Sequence, residues 1–156
     1  MKKTISKIGI VMLLAITATT FNSCKKKTTP GCTTATATNF NSSADTDDGS
    51  CKYNGSLVFW WKQPFKDSCA SNGVTAVKVY ADGVFQGTLA VASQFWNSAP
   101  SCGANATVTI NEDLGSNKTK NVSISYAYTI GGTDYPISGS TTTFEANTCI
   151  SHEQQW

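Results

Sequence analysis

The chain has no Arg and only one His among its 156 residues. Without a guanidinium it lacks the planar fork that grips phosphate or carboxylate bidentately. With one imidazole it offers a single candidate base for nucleophilic catalysis, His152, in the C-terminal tail Ser151-His152-Glu153-Gln154-Gln155-Trp156. A His there is expected to be a solvated surface residue. Charge is scarce too, at 14% of residues, well below the ~25% of an ordinary soluble chain. Disorder is not the alternative, because hydrophobic residues reach 40%. Also missing are G-x-S-x-G, H-E-x-x-H and any phosphate-cradling Gly loop. No apolar stretch reaches the ~20 residues that a bilayer span needs, and no segment repeats convincingly every 3.6 residues over helix length.

What is present begins with an address. Met1-Lys2-Lys3 and Lys7 precede an apolar run at residues 8–16, the length of a secretory h-region. The segment then reaches Ser23-Cys24, a small residue before Cys just past that run. This resembles the cleavage site of bacterial lipoproteins. The resemblance implies that residues 1–23 are a signal peptide and that the Cys24 sulfur is diacylglycerated. Each buried acyl CH₂ contributes ~0.8 kcal/mol, so two or three chains would anchor the protein stably. Residues 24–30 then form a tether carrying Lys25-Lys26-Lys27, whose charges would lie beside lipid headgroups. Exported lipoproteins that reach the cell surface often carry acids at this point, so the Lys triplet suggests an outer-membrane protein facing the periplasm.

Removing residues 1–23 takes away three Lys and no acid, leaving nine Lys against ten acids, net −1. Within residues 56–156 five Lys face seven acids, net −2. The basic character of the whole chain therefore belongs to the signal and tether. A nucleic-acid partner would need a Lys/Arg face on the domain, and none is expected.

Residues 31–53 read Gly31-Cys32-Thr33, then Ala37, Asn39, Asn41 and Ala44, and end in Asp47-Asp48-Gly49-Ser50-Cys51-Lys52-Tyr53. This pattern resembles a Cys-framed motif that recurs in secreted and cell-surface proteins of Bacteroidota. Thr34 stands where that motif usually has an acid and Phe40 where it has Tyr. The resemblance implies export and no particular reaction. The segment, taken as residues 31–55, is too short to fold without a staple. Cys32 and Cys51 enclose a loop that a disulfide would stabilise by ~3 kcal/mol. Asn39, Asn41, Asp45, Asp47 and Asp48 have two readings: Asx turns bonded to backbone, or oxygen ligands for Ca²⁺. An EF-hand is excluded, since Ser50 stands at its Gly position and Ser56 at its bidentate Glu position. No other cofactor is implied.

The remaining residues, 56–156, read as an all-β domain. Residues 57–61 are an apolar run of strand length, Leu-Val-Phe-Trp-Trp. Residues 74–81 alternate, and Asp82-Gly83 links them to residues 84–89, a strong hairpin signal. Ala104, Ala106, Val108 and Ile110 share one face of another strand. Val122, Ile124, Tyr126, Tyr128 and Ile130 alternate against polar or small neighbours, which puts one face on a core. Gly131-Gly132 makes a second turn into residues 133–137, where Pro136 marks an edge strand. Residues 140–146 form a last, Thr-rich strand. The expected architecture is a small Ig-like or transthyretin-like β-sandwich. Residues 79–89 also resemble small sandwich modules of exported lipoproteins, including the carboxypeptidase-regulatory-like type.

Cys69, Cys102 and Cys149 are an odd set once Cys24 is acylated. Spacing leaves three pairings open; Cys102–Cys149 is preferred and Cys69–Cys149 is second. For chemistry, Glu112-Asp113 are adjacent in an expected loop and make a poor acid/base pair. No catalytic residue is assigned, and the chain is not expected to be an enzyme. A pocket gathering Glu112, Asp134 or Asp82 would reopen that question. Trp60 and Trp96 are the candidate ligand aromatics, with core packing as the competing role. The first reading is a non-catalytic, lipid-anchored sandwich for binding or envelope structure, with a protein or glycan partner. The second is a calcium-stabilised adhesion or glycan-binding module.

Overall fold

The computed structural model describes residues 26–93 and 95–155, so the leader, Cys24 and Lys25 lie outside the described residues. The described chain runs through β1 (Pro30–Gly31), β2 (Thr46–Asp47), β3 (Tyr53–Trp61), α1 (Gln63–Ser71), β4 (Val74–Ala81) and β5 (Val84–Ala90). Then follow β6 (Val108–Gly115), β7 (Thr119–Ile130), β8 (Thr133–Glu145) and β9 (Cys149–Gln154). β1 and β2 form a minimal parallel pair. The other strands build two sheets, ordered β6-β3-β9 and β5-β4-β7-β8. These face each other as the expected all-β sandwich.

The apolar run at residues 57–61 lies within β3, the central strand of its sheet. β3 pairs antiparallel with β6 and parallel with β9. Leu57, Phe59 and Trp61 point between the sheets and meet Val77, Val79, Val122, Ile124 and Phe144 there. Each large side chain buried in this way stabilises the fold by roughly 1.5–3 kcal/mol. Val58 and Trp60 point the other way yet are only 0% and 3% exposed. The connection between β5 and β6 is fastened along this side of the sheet. The Trp96 N–H donates to the Trp61 carbonyl at 3.0 Å, and the Gly103 N–H donates to Thr109 Oγ1 at 2.7 Å. Cys102 is disulfide-bonded to Cys149 of β9. A strand covered on both faces has no polar face to alternate with, which explains the continuous run.

Both expected hairpins form. Asp82 and Gly83 take φ of 46° and 79° between β4 and β5, and Gly131 and Gly132 take 57° and 84° between β7 and β8. The alternation in β7 holds throughout: Val122 and Ile124 are buried in the core, and Tyr126, Tyr128 and Ile130 pack against it. β8 is an edge strand and carries Pro136, as expected.

Several expectations are corrected. Residues 133–137 and 140–146 are not separate strands but parts of one strand, β8, bent where its pairing with β7 shifts between Ile124 and Tyr126. The strand expected from Ala104 starts at Val108 instead, because Ala106 adopts a positive φ of 54° in a turn. Glu112 and Asp113 belong to β6 rather than to a loop. The polar tail is strand β9, in parallel register with β3 from Ser56↔Cys149 to Trp61↔Gln154. A helix, α1, crosses from one sheet to the other. Pro64 sits in its first turn, Phe65 and Cys69 one turn apart are buried, and Asn72 and Gly73 (φ 72°) close it.

The stapled module packs onto the sandwich. Cys32 and Cys51 form the expected disulfide, and Cys32, Ala37, Cys51 and Tyr53 join the common core. The expected boundary at residue 55 falls inside β3, so module and sandwich share a strand.

The bend in β8 depends on Gly139, where an added Cβ would lie 1.5 Å from the Ile124 carbonyl oxygen. Gly139→Ala is expected to lower stability by about 3 kcal/mol, read as a lower urea midpoint. Thr141→Ala, exposed on the same strand, should stay within about 0.5 kcal/mol.

Candidate functional site

His152 is not a solvated tail residue. It lies in β9, half-buried, with its ring stacked on Phe59 at 5.5 Å between centroids and an interplanar angle of 13°. Burial lowers its pKa from the usual 6.5, and contact with Gln154 offsets part of that shift. Beside it, Ser138, Gly139 and Ser140 of β8 and residues 152–155 line a shallow cleft of about 270 Å³. Among the described residues no carboxylate orients the imidazole as a base; Glu153, next in sequence, pairs with Lys62 at 3.0 Å. Stacking on Phe59 is a packing role.

The carboxylates that could have revived a catalytic reading are held by other groups. Glu112 meets Lys120 at 2.7 Å, bridging strands of the two sheets and raising the Lys120 pKa. Asp113 accepts from the Gly115 N–H at 2.7 Å, and Asp82 from the Ser123 N–H at 2.8 Å. Asp134 accepts from the Lys78 ammonium and the Thr129 hydroxyl, and the Lys78 bond is the main cause of its lowered pKa.

In the stapled module every Asn and Asp named as a Ca²⁺ ligand bonds to backbone within or beside the module. Asn39 accepts from the Lys52 N–H and donates to the Ser50 carbonyl, both at 2.7 Å. Asn41 accepts from the Ser43 N–H, Asp47 from the Gly49 N–H and Asp48 from the Ser50 N–H. Asp45 accepts from the Thr29 N–H at 2.9 Å, which is the main cause of its lowered pKa. The Asn41, Asp47 and Asp48 bonds are Asx turns, whereas Asn39 and Asp45 tie together stretches 11 to 16 residues apart. Among the described residues, no three His, Cys, Asp or Glu side chains stand together as a metal-holding group.

The candidate ligand aromatics are also accounted for. Trp60 is buried, and its Nε1–H donates to Ser151 Oγ at 2.8 Å. It offers no ring face to a ligand. Trp96 is half-buried, with its Nε1 fully buried. Exposed aromatic rings lie elsewhere, at Phe40, Tyr135 and Phe85; Phe85 is 54% exposed and meets half-buried Tyr80 edge-on at 5.8 Å. The sequence carried a signal for this pair, because an alternating strand whose inward positions are Val77, Val79 and Ala81 must present Tyr80 outward.

Cys102–Cys149 is the disulfide among the three later cysteines. Cys149, however, opens β9 rather than closing the last strand. Cys69 is free and fully buried on α1, and burial pushes its thiol up to about 11. A thiol held protonated in this way is a poor nucleophile. Among the described residues, no helix is long and apolar enough to cross a membrane. Compared with protein-family models, curated proteins and solved structures, the chain matches none.

The His152 environment generates a pH signature. Its folded pKa lies below its unfolded one, so the unfolded chain binds more protons between the two values. Stability is therefore full above about 6.5 and falls as pH drops below that value. Urea midpoints of the wild type should decline between pH 7.5 and 5.5, and His152→Gln should flatten that part of the curve.

Proposed function

We propose that this chain is a lipid-anchored protein of the cell envelope, tethered through Cys24 to the outer membrane, whose sandwich works by binding or as structure rather than by catalysis. The observation that carries the reading is the cysteine assignment. Cys32 pairs with Cys51, Cys102 pairs with Cys149, and Cys69 is buried, so the described fold is complete without Cys24. Structural disulfides are made in oxidising compartments, which fits export. A thiol left over at the end of an apolar leader is where an acyl group would be attached. The non-catalytic half of the reading draws on His152, Glu112, Asp82 and Asp134, each of which is committed to packing or to a bond made within the fold.

A second reading, an adhesive or glycan-binding module, is favoured by the half-exposed ring of Phe85 beside Tyr80. It no longer draws on Trp60.

Thiol counting and mass together test the anchor. Native, unreduced protein should react with a thiol reagent at no position within minutes. After unfolding without reductant it should react once, at Cys69. Intact mass should exceed that of residues 24–156 by two or three acyl chains, and Cys24→Ser should move the protein from the membrane to the soluble fraction. A second reactive thiol in the unfolded protein, together with an unmodified mass, would sink the proposal.

A further inference from the structure

The outer face of the four-stranded sheet carries a mixed apolar and polar set of side chains around the buried methyl of Ala127. The registers set them side by side: Phe85 opposite Tyr80, Lys78 opposite Ala127, Ala127 opposite Pro136, and Thr129 opposite Asp134. Their sequence neighbours Val77, Val79, Ala81 and Ile124 point into the core, which fixes this set on the solvent side. A solvated sheet face is ordinarily polar. Here a hollow of about 290 Å³ opens in it, lined by Tyr80, Gly83, Ser125, Ala127, Asp134 and Pro136.

We infer that this hollow binds one sugar ring of an uncharged polysaccharide. The inference rests on the proposed reading of the sandwich as a binding module and names the site and ligand class. A pyranose has an apolar C–H face and a rim of hydroxyls, and the hollow divides in the same way. Ala127 and Pro136 supply an apolar floor, the Tyr80 ring supplies an aromatic side on which C–H groups can lie, and Phe85, edge-on to Tyr80 at 5.8 Å, flanks the hollow. Asp134 and Ser125 supply acceptors and donors at the rim, with Asp134 held in place by Lys78 and Thr129.

Charge selects against other small ligands. Lys78 and Asp134 neutralise one another, and with no Arg in the chain the hollow's lining offers no free cation to a phosphate, sulfate or carboxylate. Position selects against a peptide. An extended peptide adds to a sheet through unpaired edge backbone, whereas the hollow lies on the sheet's face over β4 and β7, each paired on both sides, and edge strand β8 meets it at Pro136, which has no N–H to offer. The volume lies at the low end of small-ligand sites, which start near ~300 Å³, and suits a single ring.

The test is isothermal titration of the full-length protein in detergent micelles with cellohexaose, xylohexaose and chitohexaose. At least one should bind saturably. Phe85→Ala and Asp134→Asn should each weaken that binding about tenfold, a loss of the size expected for one aromatic contact or one charge-assisted hydrogen bond. Phe85 is half exposed, so its truncation keeps the fold. Phe40→Ala, which removes an exposed ring on the stapled module, should leave binding unchanged. No saturable binding by any of the three, or binding that Phe85→Ala leaves intact, overturns the inference. The two proposals fail separately. A missing acyl mass at Cys24 overturns the anchor alone, and absent sugar binding in a protein that carries the acyl mass overturns this site alone.

Discussion

Two-sided pairing of β3 holds the molecule together. Along one edge it bonds to β6, and along the other, in parallel, to β9, the last strand of the described chain. One face sends Leu57, Phe59 and Trp61 into the space between the sheets, and the other buries Val58 and Trp60. A parallel neighbour cannot be reached by a tight turn. The chain therefore crosses to the opposing sheet for β4 and β5, returns for β6, crosses again for β7 and β8, and only then lays β9 beside β3. The Cys102–Cys149 bond then ties the long connection between β5 and β6 to the strand that returns last. On the chain-entropy estimate, closing that loop of 47 residues stabilises the fold by about 4 kcal/mol.

The same strand explains how a short module survives at the N-terminal end. Residues 31–52 bury little apolar surface by themselves, and their order comes from a disulfide, Asx bonds and a two-residue ladder. Cys32, Ala37 and Cys51 reach the common core because Tyr53 begins β3 directly after the staple. Gly55 admits β8 close by: a Cβ there would lie 2.8 Å from the Glu145 carbonyl oxygen. Asn54 and Ser56 on either side bond to the turn between β8 and β9, through Asn147 and Thr148. Module, β3 and the β8–β9 turn thus form one packed end of the sandwich.

Polar side chains in this protein are mostly spent on making the fold. Asp82 fastens a hairpin to β7, Glu112 links the sheets through Lys120, and the Asn and Asp side chains of the module shape its loop. The buried thiol of Cys69 is held protonated. The recognition role we propose draws on what remains on the surface: the Tyr80 ring, with Phe85 edge-on to it, and a self-neutralising ion pair beside a shallow hollow.

Much of this was legible in residue order, and the failures share a cause. The two Gly-containing hairpins, the alternation of β7 and the edge position of Pro136 are local properties, set by φ preference, side-chain period and a missing N–H. Helix α1 announced itself only through Pro64, Asn72 and Gly73, because nine residues with two buried side chains make too short a repeat to read. β9 had no pattern at all, since Ser151, His152 and Glu153 become strand only by lying against β3, about ninety residues earlier in the chain. The site divided the same way. Trp60 looked like a ligand aromatic because adjacent residues must face opposite sides of a strand, and nothing local revealed that the far side would be covered. Sequence alone determined the cysteine supply, the turns, the strand periods and the absence of Arg, because each acts within a few residues. Tertiary structure decided which faces were covered, which cysteine stayed free and which aromatic met solvent, because burial depends on partners that the chain brings together only by folding.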